Sequence, residues 1–230
     1  MSGPGATPAL LAAGAVKSAV EALLRRPSLW EGEPPRADFG TVGALRDRVL
    51  AGESPAVVVL SEEAIAALAG RLVPGTVMPL GRTGIGLALR AGGVPRPIGT
   101  GPELREALLV AASVGWADAA RGATAGRHFE RVIAELAIAE VVRAKGRVFG
   151  FGVEAVAACG RGEVELAVSQ ATEILGQPGV SLLGEFPPPF DLGTRYAAAA
   201  LAEGPEARAI LAVLAGPEAG RALRGIGFTN

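Results

Sequence analysis

The 230-residue chain has little with which to cross-link itself or hold a metal: one cysteine, Cys159, and one histidine, His128. A single cysteine excludes an internal disulfide, and one residue of each kind leaves no nitrogen/sulfur ligand cluster. No catalytic metal, structural zinc or other cofactor is expected. Aromatic residues make up only 4% of the chain although half of it is hydrophobic, so the core must pack many small side chains, as α/β layers do. The formal net charge of −1 gives no field for nucleic acid or for an anionic membrane surface. No uncharged apolar run reaches the ~18 residues that span a bilayer, so membrane insertion is not expected. The first sixteen residues are uncharged but lack the basic start and long apolar centre of a secretory signal. Met1 therefore reads either as a cytoplasmic start or as the start of a trimmed mature chain.

What is present is a recurring junction of strand, bare loop and helix. In Ala111–Leu136 a short apolar run (Ser113–Trp116) stops at Asp118. Small residues follow (Gly122 to Gly126), and a helical pattern begins with Phe129, Val132, Ile133 and Leu136. A loop without bulky side chains lets a ligand approach the unpaired N–H groups of a helix start, where the helix dipole also favours negative charge. The stretch Asp38–Leu50 repeats the arrangement. Ahead of both, Ala9–Ala13 reads as a buried strand with a helix opening at Gly14, and between them Ala56–Leu60 reads as a parallel strand covered on both faces. Ser61 is the expected N-cap of the next helix. Thr76–Arg90, interrupted by Gly81, Gly84 and Gly86, reads as an extended crossover, with Arg82 a structural residue of that segment.

A second series starts with a Thr100/Glu103 capping box. It continues through strands at Arg147–Phe149, Val164–Val168 and Val180–Leu183, with helices over Val153–Cys159 and from a Ser169 cap to Leu175. Thr194–Leu201 is a small-residue segment suited to recross, and two helices follow with Pro205 and Pro217 near their starts. Alternating strands and helices predict parallel sheets. The expected architecture is α/β and two-lobed, each lobe a mostly parallel sheet flanked by helices. Residues 1–83 plus 193–230 form lobe 1, residues 84–192 form lobe 2, and two crossover segments act as the hinge. Ligands of open α/β sheets lie beyond the carboxyl ends of the strands, so the bare loops are expected to meet at an interlobe cleft.

The runs AAGAVKSAVEALL (Ala12–Leu24), DFGTVGALRDRVLAG (Asp38–Gly52), AVVVLSEEAIAALA (Ala56–Ala69), GRTGIGLALRAG (Gly81–Gly92) and GRHFERVI (Gly126–Ile133) resemble the molybdate-binding-like group of bacterial extracellular solute-binding proteins. The resemblance spans nearly the whole chain. It implies a type II periplasmic-binding-protein fold, a periplasmic location, an ABC transporter permease as partner, and a small anionic ligand held by helix-start N–H groups and hydroxyls. Carried onto this sequence, the implied contacts are Ala13 and Gly14; Thr41, Val42 and Gly43; Thr124, Ala125 and Gly126; Gly152 and Val153; and Ser169 and Gln170. Arg121 is an accessory cation. Related sequences often carry a serine just before the first glycine and another where Ala125 stands, and smaller or neutral residues where this chain has Arg121 and Arg127. A carboxylate or larger oxyanion is therefore as acceptable a ligand as molybdate.

No nucleophile–base set is evident, so a non-catalytic, monomeric binding protein is the leading expectation. An enzyme on the same fold acting on a small carboxylate is the alternative, with Asp118, His128, Glu154 and Glu173 as the titratable candidates. A sensing domain cut from a regulator is a third, weakened by the acidic balance and the lack of a helix-turn-helix segment. Cys159, near the end of an apolar helix, is expected to be buried and inert.

Overall fold

A computed structural model describes residues 8–229 and divides the chain into two compact units, Met1–Arg82 with Arg195–Asn230, and Thr83–Thr194. In the first unit, strands β1 (Leu10–Ala13), β2 (Ala37–Gly40) and β3 (Val57–Ser61) run parallel, with β1 between the other two. Strand β4 (Met78–Thr83) completes the order β2-β1-β3-β10-β4, where β10 (Thr194–Ala200) lies antiparallel to β3. Val57 to Leu60 and Ala197 to Ala199 are wholly buried. Strands this central are covered on both faces, which is why they read as continuous apolar runs. Alanines in β10 keep the covering layers close.

The helices of this unit follow their strands at once. A 3-10 turn, Gly14–Val16, leads from β1 into α1 (Lys17–Leu24), α2 (Val42–Leu50) follows β2, and α3 (Glu62–Ala67) follows β3. Thr41 and Ser61 are the N-caps, their hydroxyls accepting from Ala44 N–H at 3.2 Å and Ala64 N–H at 3.3 Å. Arg48 fixes α2 to its strand by bonding Asp38 at 2.9 Å and Glu53 at 2.6 Å.

In the second unit the order is β7-β6-β8-β5-β9, with β5 (Ile85–Arg90), β6 (Val114–Ala117), β7 (Gly146–Phe149), β8 (Leu166–Gln170) and β9 (Val180–Glu185). Strands β6, β7 and β8 are parallel, and β5 is antiparallel to both β8 and β9. Helix α4 (Gly101–Val110) opens with the expected capping box, the Thr100 hydroxyl accepting from Glu103 N–H and the Glu103 carboxylate accepting from Thr100 N–H. Then come α5 (Thr124–Glu135), α6 (Ala139–Ala144), α7 (Gly152–Gly160) and α8 (Ala171–Leu175). Phe129 of α5 is fully buried and meets Trp116 edge-on, ring centroids 5.2 Å apart, the arrangement aromatic quadrupoles prefer. The chain returns to the first unit through β10 and ends in α9 (Pro205–Ala215) and α10 (Pro217–Gly225).

Two details differ from the sequence reading. The Thr76–Arg90 stretch is two strands in two sheets, and the chain passes between them at Gly84, where a Cβ would overlap the Glu185 carboxylate. Strand β8 runs two residues further than its apolar run, so Ser169 lies inside the strand and Gln170, not Ser169, occupies the N-cap of α8. The antiparallel partner β5 pairs with Ser169 and Gln170 through Gly86 and Ile85, which extends the ladder past the last valine.

Candidate functional site

The parallel strands of each unit bring their carboxyl ends, and the helix starts that follow, to one end of that unit's sheet. In the first unit these are Ala13–Val16, Thr41–Gly43 and Ser61. In the second they are Asp118–Gly126, Gly150–Val153 and Gln170. The helix starts differ in charge. Among the described α-helices α3, α4, α6, α7, α8, α9 and α10 each carry a glutamate in the first turn. Helices α1, α2 and α5 carry none, and neither does the 3-10 turn before α1. A first-turn carboxylate already complements the N–H groups and the dipole. The three helices without one follow β1, β2 and β6, so these acid-free starts lie at strand carboxyl ends.

Details of these three junctions agree with that division. At α2 the Thr41 hydroxyl takes Ala44 N–H, and the first-turn amides of Val42 and Gly43 stand ahead of it. At α5 the N-cap, Ala123, has no side chain able to accept a hydrogen bond, and Arg127 sits in the opening turn. At α1 the first residue is Lys17, whose ammonium stacks 5.5 Å over the Phe39 ring and lies 3.8 Å from Glu21. Lys17 was not singled out from sequence. The available signal was a cation where first turns usually favour an acid.

Junctions α7 and α8 are closed by the protein itself. The Glu154 carboxylate accepts from Phe151 N–H at 3.2 Å. Glu173 accepts from the Ser169 hydroxyl and the Gln170 N–H. Burial pushes the Glu173 carboxyl above the usual glutamate range, and those two hydrogen bonds pull it part of the way back. Gly152 is small because the Ser169 hydroxyl and the Glu173 carboxyl occupy the space a Cβ would take. Gly126 has a similar reason: α5 packs its first turn directly on the Ala117 carbonyl. At both glycines the room belongs to the fold.

Arg121 is exposed at the end of the 3-10 turn Ala119–Arg121, its guanidinium 5.3 Å over the Phe151 ring and beside Gly150. His128 is 7% exposed; its Nδ1 accepts from Arg131 at 2.9 Å and its Nε2 donates to the Phe190 carbonyl at 2.6 Å. Both ring nitrogens are engaged by protein groups, which makes it a packed residue. Asp118 caps its own turn through Ala120 N–H at 2.8 Å. Cys159 is buried, bonded to the Glu165 carbonyl at 3.3 Å, and burial pushes its thiol up to about 11. Among the described residues no group of three or more His, Cys, Asp or Glu residues is placed to hold a metal ion. Several buried polar atoms have no protein partner, including both amide atoms of Gln170 and the hydroxyls of Thr124 and Thr172. Leaving such a group unpaired costs about 1–3 kcal/mol.

Two five-stranded α/β units, between which the chain crosses twice, have the type II periplasmic-binding-protein fold. The chain belongs to the bacterial extracellular solute-binding protein family, whose model matches residues 9–229. It is similar in structure to the periplasmic molybdate-binding protein of Azotobacter vinelandii, with a TM-score of 0.75 at 16% identity, covering 96% of this chain and 98% of that one. The sulfate-binding protein SubI from Mycobacterium tuberculosis is similar at a TM-score of 0.69 and 16% identity, over 97% of this chain and 86% of that one. In sequence, an aconitate isomerase from a Pseudomonas species is 28% identical over 195 residues, 82% of this chain and 72% of that protein. Among the described residues no helix is long and apolar enough to cross a membrane.

Proposed function

We propose that the protein captures a small anion, a carboxylate or an oxyanion, and delivers it to an ABC importer from outside the cytoplasmic membrane. The donors we assign are, in the first unit, the first-turn amides at Gly14 and Ala15 after Ala13 and those of Val42 and Gly43, and, in the second unit, the amides of Thr124, Ala125 and Gly126. The observation that carries this reading is the selective omission of first-turn glutamates from α1, α2 and α5. Gly152, Val153 and Ser169 are left out of the donor set because Glu154 and Glu173 already serve those junctions. Arg121 lies close to Glu154 and Phe151 and adds positive charge near the β6–α5 loop.

The energetics are adequate. A hydrogen bond to a charged group contributes about 1.5–3 kcal/mol, so five such donors supply roughly 8–15 kcal/mol before ordering losses. Micromolar affinity needs about 8 kcal/mol. Calorimetric titration with molybdate, sulfate, phosphate and mono-, di- and tricarboxylates tests the reading. Heat and a raised unfolding temperature with at least one anion are expected; neither response from any of them rejects it.

A second reading, isomerisation of a small unsaturated polycarboxylate, is supported by the similarity to an aconitate isomerase. Proton shuttling would fall to Glu173, whose enclosed carboxyl holds its proton more tightly than an exposed glutamate. Proton NMR of cis- and trans-aconitate with the protein in D2O decides it: interconversion with deuterium uptake supports catalysis, and unchanged spectra at stoichiometric protein dismiss it.

A further inference from the structure

Gln170 ends β8 and is 4% exposed, and neither its Nε2 nor its Oε1 has a protein partner. Strand alternation fixes its direction. Leu166 and Val168 pack in the cluster that contains Phe129 of α5, whereas Ala167 packs with Ala155 and Val156 of α7. Gln170 therefore follows Val168 into the α5 layer, and Ser169 turns to α7, where it meets Glu173 and Gly152. Thr124, the first residue of α5, opens that same layer, and its hydroxyl also lacks a protein partner. Strands β6 and β8 are parallel neighbours, so the end of β8 and the start of α5 lie at the same end of the unit. Opposite Gln170 on β5 stands Ile85, whose side chain has no polar atom to offer.

A carboxamide asks for something a helix start does not. Helix-start amides only donate, which suits any fully ionised oxyanion. Gln170 donates and accepts side by side, and a sulfate or molybdate oxygen would satisfy the donor while setting negative charge against the acceptor. A hydroxyl satisfies both, donating to Oε1 and accepting from Nε2. Building on the anion-capture reading above, we propose that Gln170, with the Thr124 hydroxyl in the same layer, reads a hydroxyl on the ligand, which makes the ligand a hydroxycarboxylic acid and not a symmetric oxyanion. The carboxylate goes to the helix-start amides and the hydroxyl to the amide of Gln170. Sites that hydrogen-bond a substrate hydroxyl through buried polar groups discriminate strongly against the analogue lacking it, because those groups are then left unpaired.

The test uses two ligand pairs that differ by one hydroxyl, malate against succinate and citrate against tricarballylate, with sulfate and molybdate alongside. The wild-type protein is expected to bind the hydroxylated member of at least one pair about tenfold or more tighter. In Gln170→Leu that preference falls to within about threefold; Gln170→Met serves if the leucine variant does not fold, and thermal unfolding checks both. Carboxylates bound without preference for the hydroxyl, a preference that survives the substitutions, or tighter binding of sulfate or molybdate than of any hydroxy acid overturns this assignment and leaves anion capture standing. Absence of binding by every anion overturns both.

Discussion

The first turn of α5 rests on the end of β6 so closely that a Cβ on Gly126 would drive into the Ala117 carbonyl. Backbone cannot yield there without moving the whole helix. Gly126→Ala is therefore expected to destabilise the protein by about 2 kcal/mol or more, at the upper end of overpacking losses. Gly152→Ala meets the Ser169 and Glu173 side chains instead, which can turn aside, so its loss is expected to be smaller. Urea unfolding of both variants checks the order; equal midpoints would refute it.

Arg127 is exposed in the opening turn of α5. Arg127→Glu gives that helix the first-turn acid its seven counterparts possess, which by the dipole argument adds about 0.3–1 kcal/mol of stability. The same carboxylate competes with a bound anion, so affinity is expected to drop by about two- to fivefold. Calorimetry and thermal unfolding on one preparation read the two effects, and a variant of unchanged affinity would remove α5 from the donor set.

Glu173 gives a pH dependence of definite sign. Its folded-state pKa lies above the unfolded value, chiefly through burial, so folding favours the protonated carboxyl. The associated stability is fully present below the unfolded pKa of about 4.3 and is lost as pH rises through the folded value. Glu173→Gln keeps an acceptor for Ser169 and the Gln170 N–H without that titration. The stability of the variant relative to wild type is expected to rise with pH between 4 and 8; a difference constant across that range contradicts the assignment.

Cys159, with its thiol pushed up to about 11 and no exposed surface, is expected to resist a disulfide reagent in the native protein at pH 8 and to react at once in denaturant. Rapid native labelling would show that α7 opens readily.

Much of the fold was legible because short apolar runs flanked by small residues leave few alternatives to an α/β layer. The caps at Ser61 and Thr100 followed from residue type alone. The reach of β8 to Gln170 was not legible, since nothing in VELAVSQ reveals that Gly86 and Ile85 of a distant strand extend the ladder past the last valine. The candidate site was half readable. The bare loops were visible, but smallness has two causes, and at Gly126 and Gly152 only the three-dimensional neighbours tell room for a ligand from room for Ala117 or Glu173. The first-turn charge contrast lies in the sequence and becomes meaningful once the helix starts are known.

Strand β10 sits between β3 and β4, 133 positions after Ser61 to its first residue, Thr194 (194 − 61). The first unit therefore waits on the last part of the chain to close its sheet, whereas the second is a continuous stretch, Thr83–Thr194. Long-range pairing is slow because loop closure must precede its reward. During synthesis and refolding, amides of β6 and β8 should gain protection from hydrogen exchange before those of β1 and β3, so the amino-terminal third of the molecule would be the part most exposed to proteases and chaperones in the interval.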